Sequence, residues 1–261
     1  MLALSLVVGE KAVRLAAHLR RPDDMTGNGW DQSADAYIAS MGDRGDYTRE
    51  FIVDPVMLGR IAGRGFRDAL DVGCGEGRFC RIMREHGMTP VGIDPTARML
   101  MRAKELDPSG DYRCAKAEAL PFEDGRFDLV VTYMTLIDIP DIRRAIPEMS
   151  RVLRPGGTLL IANLTSFATA AKDGWVADEA GNPLHCHPVD HYLEERAQWA
   201  EWKGIRIQNW HRPLSTYMQL LLGAGLRLTF FDELAGIGGP VRLQATSRRR
   251  PWCLVMEWAK V

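Results

Sequence analysis

The sequence lacks the cysteine spacing that would point to a metal site or a disulfide framework. Its 261 residues contain five cysteines, and no two of them form a Cys-x-x-Cys pair. It also lacks a charge imbalance, because 33 basic and 34 acidic residues give a formal net charge of -1. Such a balance provides no overall attraction for a nucleic acid or an anionic lipid surface. We therefore expect reduced cysteines in a cytoplasmic protein with no metal and no nucleic-acid partner.

The N-terminal apolar stretch Leu2–Val8 is shorter than a membrane span and has no basic region before it, so we expect neither secretion nor membrane insertion. Apolar residues recur at helical spacing at Leu4, Val8, Ala12, Leu15 and Leu19. This spacing predicts an amphipathic helix that covers an apolar surface, either the ligand cleft of this chain or a second subunit. A homodimer through this helix is one of the two expectations.

The chain is predicted to divide into a helical N-terminal cover over residues 1–60 and an α/β domain over residues 61–261. Trp30–Ala39 is predicted to be helical, and after residue 61 short β-rich runs alternate with helical segments. Strands are predicted near 68–73, 89–93, 111–115, 127–132, 157–162, 226–231 and 252–259. Helices are predicted near 77–87, 96–106, 142–153 and 213–223. The pattern indicates a Rossmann-like, doubly wound and mostly parallel seven-stranded sheet, whose strands end at the ligand site.

Two segments interrupt this alternation. Residues 165–210 contain four of the seven tryptophans, and so long a stretch is unlike a plain loop. We predict that it is an insertion that covers the pocket as a lid. The dense basic patch Arg248–Arg250 precedes Pro251, and we predict a solvated turn there rather than a binding patch.

A glycine-rich run, Asp71-Val72-Gly73-Cys74-Gly75-Glu76-Gly77, joins a predicted strand to a predicted helix. Glycine lets the backbone turn tightly and approach a ligand, and the helix amides that follow suit an anionic group such as an amino-acid carboxylate. A dinucleotide fingerprint needs Gly-x-Gly-x-x-Gly, whereas Arg78 follows the third glycine here. Asp71 is expected to point into the ligand space, where it would repel a pyrophosphate but suit an ammonium or a sulfonium.

These residues resemble motif I of the class I S-adenosylmethionine-dependent methyltransferases, of the small-molecule, methyltransferase domain 11-like type. Gly92-Ile93-Asp94 resembles the acidic end of the second strand, whose carboxylate takes both ribose hydroxyls in that family. The segments 117–122 and 127–131 resemble the adenine-side loop and the fourth strand, and 153–157 resembles the turn before the fifth strand. Four motifs in the family's order make this resemblance specific for the cofactor.

The resemblance implies that S-adenosylmethionine is the cofactor and S-adenosylhomocysteine the product. A methyl group would pass to an O, N or C atom of a small-molecule acceptor. The implied cofactor-binding residues are Asp71, Gly73, Cys74, Gly75, Gly77, Asp94, Pro95, Met99, Ala117, Glu118, Ala119, Thr132 and Tyr133. Lys116 stands where the family often has an acid, so the adenine amino group would bond Glu118 or the backbone.

The insertion is the expected acceptor site. We predict His187 and His211 as catalytic residues that act as general base or orient the acceptor, with His191 as a third candidate. Methyl transfer from a sulfonium needs no metal. The tryptophans would form either the core of the insertion or a flat wall for an apolar or aromatic acceptor. The competing functions are a nicotinamide-dependent oxidoreductase and a non-catalytic S-adenosylmethionine-binding protein.

Overall fold

The computed structural model describes residues 27–42, 44–171 and 188–261. The amphipathic helix predicted from Leu4 lies outside these residues, as do Trp175 and His187. Within the described ranges, no helix is long and apolar enough to span a bilayer.

A seven-stranded sheet forms the centre of the molecule, with the strand order β3-β2-β1-β4-β5-β9-β8. Strands β1 to β5 are parallel, and β9 lies antiparallel between β5 and β8. The strands are β1 Asp68–Val72, β2 Thr89–Asp94, β3 Asp111–Cys114, β4 Phe127–Tyr133, β5 Leu153–Leu164, β8 Leu226–Leu234 and β9 Cys253–Lys260. The predicted Rossmann-like, mostly parallel seven-stranded sheet is confirmed.

Helices cover both faces of the sheet, and a separate antiparallel hairpin of β6 and β7 lies outside it. The helices are α1 Trp30–Ser40, α2 Asp54–Ile61, α3 Arg78–Glu85, α4 Ala97–Leu106, α5 Ile142–Val152, α6 Ser166–Ala170, α7 Leu214–Gly223 and α8 Val241–Arg249. A π-helical turn, Arg49–Val53, leads into α2, and the hairpin strands are β6 Arg196–Trp202 and β7 Ile205–His211.

Alternate residues of the central strands separate two hydrophobic cores. Leu70 and Val130 face α5 and α7, whereas Ala69 and Leu129 face α2, α3 and α4. Neighbouring side chains of a strand point to opposite sides, so a strand covered by helices on both faces has a continuous apolar sequence. This arrangement leaves the carboxyl ends of β1, β2 and β4 together at one edge.

Glu257 of β9 anchors α2 to the outer part of the sheet. Its Oε2 accepts hydrogen bonds from Arg60 Nε and Arg64 Nη1, each at 2.7 Å, and its Oε1 accepts one from Thr229 Oγ1 at 3.0 Å. Burial raises the pKa of Glu257, but these hydrogen bonds outweigh burial and hold the pKa below its usual value. The ionised carboxylate therefore stabilises the folded state.

Replacing Glu257 with glutamine is expected to lower the free energy of unfolding by about 2 kcal/mol at pH 7, since bonds to a charged acceptor are lost. Because the folded pKa is lowered, this stabilisation is present above the unfolded pKa of about 4.3 and is lost as the pH falls from there through the folded pKa. Urea denaturation at a series of pH values from 7 to 3 measures both effects. Glu105→Gln, on the exposed face of α4, is the control. Equal pH dependence in wild type and Glu257→Gln would contradict the assignment.

Two local predictions were wrong. Residues 153–157 belong to an irregular start of β5 rather than to a turn before it, because the register between β4 and β5 shifts between Phe127 and Leu129. Arg248 and Arg249 are exposed as predicted, but they end a helix, α8, rather than lie in a turn.

The predicted insertion contains the β6–β7 hairpin. Its Trp199 and Trp202 are about 40% exposed, so these two side chains do not belong to a core.

Candidate active site

The glycine-rich loop between β1 and α3 needs glycine at three positions. Gly73, Gly75 and Gly77 all have positive φ, at 76°, 53° and 75°, a region that other residues rarely adopt. A Cβ on Gly73 would collide with Thr135, and one on Gly77 would lie 2.6 Å from the Tyr112 ring. At Gly75 a Cβ would meet no atom within 4 Å. The loop is therefore packed on two sides and open at Gly75, where a ligand can approach the backbone.

Asp94, at the carboxyl end of β2, is held in place by this loop. Its Oδ2 accepts a hydrogen bond from the Gly75 amide at 3.0 Å, and its Oδ1 accepts one from the Thr96 amide at 2.8 Å. Burial raises the pKa of the carboxyl, while the two amides oppose this effect. The Thr96 side chain also bonds this carboxyl, and a carboxylate has about four lone-pair positions, so the group can still accept from a ligand. This geometry fits a vicinal diol such as that of a ribose.

Asp71 lies at the floor of the same cleft and is only 1% exposed. The Cys80 thiol contacts its Oδ2 at 3.5 Å, whereas its Oδ1 has no hydrogen-bond partner among the described residues. Burial raises the pKa of Asp71 to about 7, and the charge of Asp94 contributes in the same direction. An unpartnered buried oxygen of this kind fits a cationic ligand group.

Helix α1 and the π-helical turn cover the cleft. Arg49 Nη2 donates to the Tyr37 hydroxyl at 2.8 Å, and the Arg49 guanidinium lies 6.0 Å from the centre of the Tyr133 ring. An ion pair with Asp46 at 3.2 Å holds it there. Tyr37, Arg49 and Tyr133 line the cleft together with the glycine-rich loop. Arg49 thus places a guanidinium beside the loop, where it can pair with a carboxylate.

A second polar group closes the cleft next to Arg49. Arg78 pairs with the buried carboxylate of Asp54, which also accepts a hydrogen bond from the Tyr133 hydroxyl at 2.8 Å. Burial raises the pKa of Tyr133 well above its usual value, and Asp54 raises it further. Tyr133 is therefore a neutral hydrogen-bonding group that ties β4 to α2.

The structure brings most of the predicted cofactor-binding residues to this edge of the sheet. Asp71, Gly73, Cys74, Gly75 and Tyr133 line the cleft, and Asp94 bonds the loop. Pro95 is exposed just after β2, Met99 is buried in α4, and residues 117–119 follow β3. Thr132 is fully buried, with its hydroxyl bonded to no described residue. The cofactor-binding roles of all these residues stay predictions.

His211 is fully buried at the end of β7, and both of its ring nitrogens are bonded within the fold. Nε2 lies 2.8 Å from the Tyr192 carbonyl and Nδ1 lies 2.8 Å from the Thr169 hydroxyl. Because a carbonyl can only accept, Nε2 carries the proton and Nδ1 accepts from Thr169. Burial lowers the pKa of His211, which favours the neutral form. His211 has no free nitrogen for an acceptor, which favours a positioning role over that of a base.

Asp138, in the loop after β4, was not singled out from the sequence. Its Oδ1 accepts a hydrogen bond from Asn209 Nδ2 of β7 at 2.5 Å. Buried Arg212 holds the same loop, because its guanidinium donates to the carbonyls of Leu136, Ile139 and Pro140 at 2.7 to 3.1 Å. The loop and the hairpin are therefore fixed to each other above the ends of the strands.

The described ranges contain no group of three or more His, Cys, Asp and Glu side chains that could hold a metal ion. His191 is exposed and pairs with Asp190 and Glu194, and these carboxylates raise its pKa, led by Glu194.

The comparisons with known proteins agree with this geometry. A family model described as a methyltransferase domain matches residues 70–161. The chain is 29% identical to the malonyl-[acyl-carrier protein] O-methyltransferase of Salmonella typhimurium over 65% of its length and 68% of that protein. It is 26% identical to a ubiquinone biosynthesis O-methyltransferase of Coxiella burnetii over 60% and 72% of the two chains. Among four malonyl-[acyl-carrier protein] relatives, the match spans 44% to 68% of their length.

A solved structure of an S-adenosylmethionine-dependent methyltransferase from Mesorhizobium loti superposes with a TM-score of 0.69 at 26% identity, covering 84% of this chain and all of that one. The sheet order, the glycine-rich loop and the acid at the end of β2 together define a nucleoside-binding Rossmann-like protein. These matches support the resemblance of the chain to the class I S-adenosylmethionine-dependent methyltransferases.

Sequence reasoning missed the residues that cover the cleft. Tyr37, Arg49, Asp54 and Arg78 come from four different elements, and no spacing links them. The only local signal was Arg78, which directly follows the loop as a charged residue at the start of a helix. Asp138 and Asn209 are 71 residues apart, so only the fold brings them into contact.

Proposed function

We propose that this protein transfers a methyl group from S-adenosylmethionine to an O, N or C atom of a small-molecule acceptor. The observation that carries the proposal is the open glycine-rich loop fixed to Asp94, a carboxylate at the end of β2 that suits a ribose. When bound, S-adenosylmethionine supplies an electrophilic methyl group on a cationic sulfur. The hydrogen-bond donors of S-adenosylmethionine match the carboxyl groups that line the cleft.

Each end of the cleft suits a different part of that molecule. Arg49, beside the loop, would pair with the amino-acid carboxylate, and the unpartnered Asp71 Oδ1 would accept from the ammonium. Asp94 would accept from both ribose hydroxyls, and residues 117–119 would border the adenine. A dinucleotide fits less well, because its pyrophosphate would lie among Asp71, Glu76 and Asp94.

Residues 165–210 would cover the acceptor side as a lid. Three contacts support this: Trp210 N donates to the Ile137 carbonyl at 2.6 Å, Gln208 N donates to the Asn28 carbonyl at 2.8 Å, and the Ser33 hydroxyl donates to the Arg206 carbonyl at 2.9 Å. The hairpin is thereby joined to both α1 and the loop after β4. Such a cover would exclude water and align the acceptor. Both effects would accelerate the reaction, because the positive charge of the sulfonium is lost when the methyl group is transferred.

The chain's own groups can also serve an acceptor that must lose a proton. His187, outside the described residues, stays a candidate base, whereas His211 would position the lid through Thr169 and Tyr192. An apolar or aromatic acceptor and a homodimer through the N-terminal helix remain proposals from the sequence. The names of the relatives favour oxygen as the attacked atom.

The first test is binding, followed by turnover. Calorimetry with S-adenosylmethionine, S-adenosylhomocysteine and NADH should give binding of the first two and none of the third. Release of S-adenosylhomocysteine is then measured with malonyl-acyl-carrier protein, a catechol, demethylmenaquinone and a cell metabolite extract. Binding of NADH alone would support an oxidoreductase. Binding of both nucleosides without turnover of any acceptor would support a non-catalytic binding protein.

A matched pair of variants tests the predicted base. His187→Ala is expected to leave cofactor affinity unchanged and to lower turnover by about 10²–10⁴-fold if His187 is the general base, and much less if it only orients the acceptor. His86→Ala, on the exposed end of α3, is the control. Unchanged turnover in His187→Ala would remove this residue from the mechanism.

A further inference from the structure

The outer edge of the hairpin strand β7 is bonded to the helix that covers the cleft. The Arg206 amide donates to the Ser33 hydroxyl of α1 at 3.0 Å, and that hydroxyl donates to the Arg206 carbonyl at 2.9 Å. The Gln208 amide donates to the Asn28 carbonyl, just before α1, at 2.8 Å. Alternate residues of a strand direct their amides to the same side, so these bonds occupy the edge of β7 that faces away from β6. Because a two-stranded sheet alone is at best marginally stable, α1 supplies part of the support of the hairpin.

The same helix forms a wall of the cleft. Tyr37 and Met41 line the cleft together with the glycine-rich loop. Ser33, which is buried and bonds β7, lies one helical turn before Tyr37. Asn28 belongs to the same unit, since its side chain accepts a hydrogen bond from the Trp30 amide at 3.3 Å. One rigid element therefore contacts both the cofactor cleft and the hairpin.

The polar groups of the cleft are enclosed in this structure. Asp71 and Asp94 are both buried, so a ligand reaches them only after part of the cover moves. The glycine-rich loop has little freedom, because it packs against Thr135 and Tyr112. Helix α1 has more, since only two of its eleven residues are buried and Gly27, with a φ of 81°, precedes it. A glycine there can absorb the change in backbone angles that a hinge needs, which makes α1 the part of the cover that opens.

We infer that α1 couples the cofactor cleft to the acceptor side, so that S-adenosylmethionine bound in the cleft holds the β6–β7 hairpin in place. This inference rests on the proposed function. When α1 opens, the bonds of Ser33 and Asn28 to β7 break, because both residues move with the helix. A cofactor that contacts Tyr37 and pairs with Arg49 keeps α1 closed, and the edge of β7 then stays bonded.

This coupling sets the order in which the ligands bind. The donor enters while α1 is open and the hairpin is loosely held, and its binding completes the wall of the acceptor side. The acceptor therefore binds second, to a site from which water is excluded only when the donor is present. S-adenosylhomocysteine occupies the same cleft behind α1, so it leaves last.

Amide hydrogen exchange in wild type, followed by NMR, tests the coupling without an acceptor. With S-adenosylhomocysteine at about ten times its Kd, the Arg206 and Gln208 amides should exchange about tenfold more slowly, because a ligand bound only to the closed form suppresses opening by 1 + [L]/Kd. The Trp210 amide of the same strand donates to the Ile137 carbonyl instead, and this internal control should change about twofold at most. Unchanged exchange at Arg206 and Gln208, or an equal change at Trp210, would overturn the inference and leave the proposed function intact.

A matched pair of serine variants tests the contact itself. Ser33→Ala removes the hydroxyl that bonds Arg206, and S-adenosylhomocysteine should then dissociate about fivefold faster, the effect of one lost hydrogen bond on the opening of α1. Ser40→Ala removes a hydroxyl that bonds the Tyr37 carbonyl within α1, and its dissociation rate should equal that of wild type. Stopped-flow displacement followed by tryptophan fluorescence measures the rates.

Equal dissociation rates in wild type and a folded Ser33→Ala variant would also overturn the inference. The exchange measurement needs no variant, so it decides the question if Ser33→Ala fails to fold. Failure of wild type to bind either S-adenosylmethionine or S-adenosylhomocysteine would overturn the inference and the proposed function together.

Discussion

Replacing Asp94 with alanine is expected to weaken S-adenosylmethionine binding by roughly 100-fold, because two charge-assisted hydrogen bonds worth about 1.5 kcal/mol or more each would be lost. The variant would also release the Gly75 and Thr96 amides, which the carboxylate now holds at 3.0 and 2.8 Å. The glycine-rich loop would lose the contact that fixes its open position. Both effects act in the same direction on affinity.

Calorimetry with S-adenosylhomocysteine measures this loss without an acceptor. Asp94→Asn keeps one carbonyl oxygen and should lose less affinity than Asp94→Ala. Asp111→Ala, an exposed acid at the start of β3 that pairs with Arg113, is the control for the removal of a carboxylate. Circular dichroism establishes that each variant is folded. Wild-type affinity in a folded Asp94→Ala variant would remove the ribose assignment.

Replacing Arg212 with methionine is expected to lower the free energy of unfolding by about 3 kcal/mol or more. Methionine keeps the apolar stem but leaves the carbonyls of Leu136, Ile139 and Pro140 without their donor, and each buried unsatisfied acceptor costs about 1–3 kcal/mol. Arg212 is only 1% exposed, so water cannot readily replace the lost bonds. The loop that carries Asp138 would be loosened as well.

Urea denaturation followed by tryptophan fluorescence gives the change in stability. Arg113→Met provides a matched control, because Arg113 is half exposed and its ion pair with Asp111 lies on the surface, where such pairs contribute 0–1 kcal/mol in most proteins. A loss in Arg212→Met no larger than that in Arg113→Met would contradict the view that Arg212 anchors the loop.

The two largest expected effects differ in how visible their residues were in the sequence. Asp94 ends an apolar strand about twenty residues after a glycine-rich turn, and parallel pairing of β1 with β2 brings it to that turn. Arg212 had no such signal, because its partners lie 72 to 76 residues away. A charged side chain is usually exposed, and only the fold shows that this one is buried among carbonyls.

The prediction for the histidines illustrates the same limit. His211 was chosen because its residue type titrates near neutral pH and because it stands before a predicted helix. In the structure its ring is enclosed by Thr169 and Tyr192, which use both nitrogens. A sequence gives the chemistry of a side chain but not which of its polar atoms are already occupied.

The sequence by itself determined the sheet, the glycine-rich loop and the acids at the ends of β1 and β2, because each depends on periodicity or spacing within about thirty residues of the chain. Only the tertiary structure decided which residues cover the cleft and which side chains of distant segments bond each other. Arg49, Asp138 and Asn209 come from a π-helical turn, a loop and a hairpin. Their contacts are set by how these elements pack, and local spacing carries no information about contacts between segments so far apart.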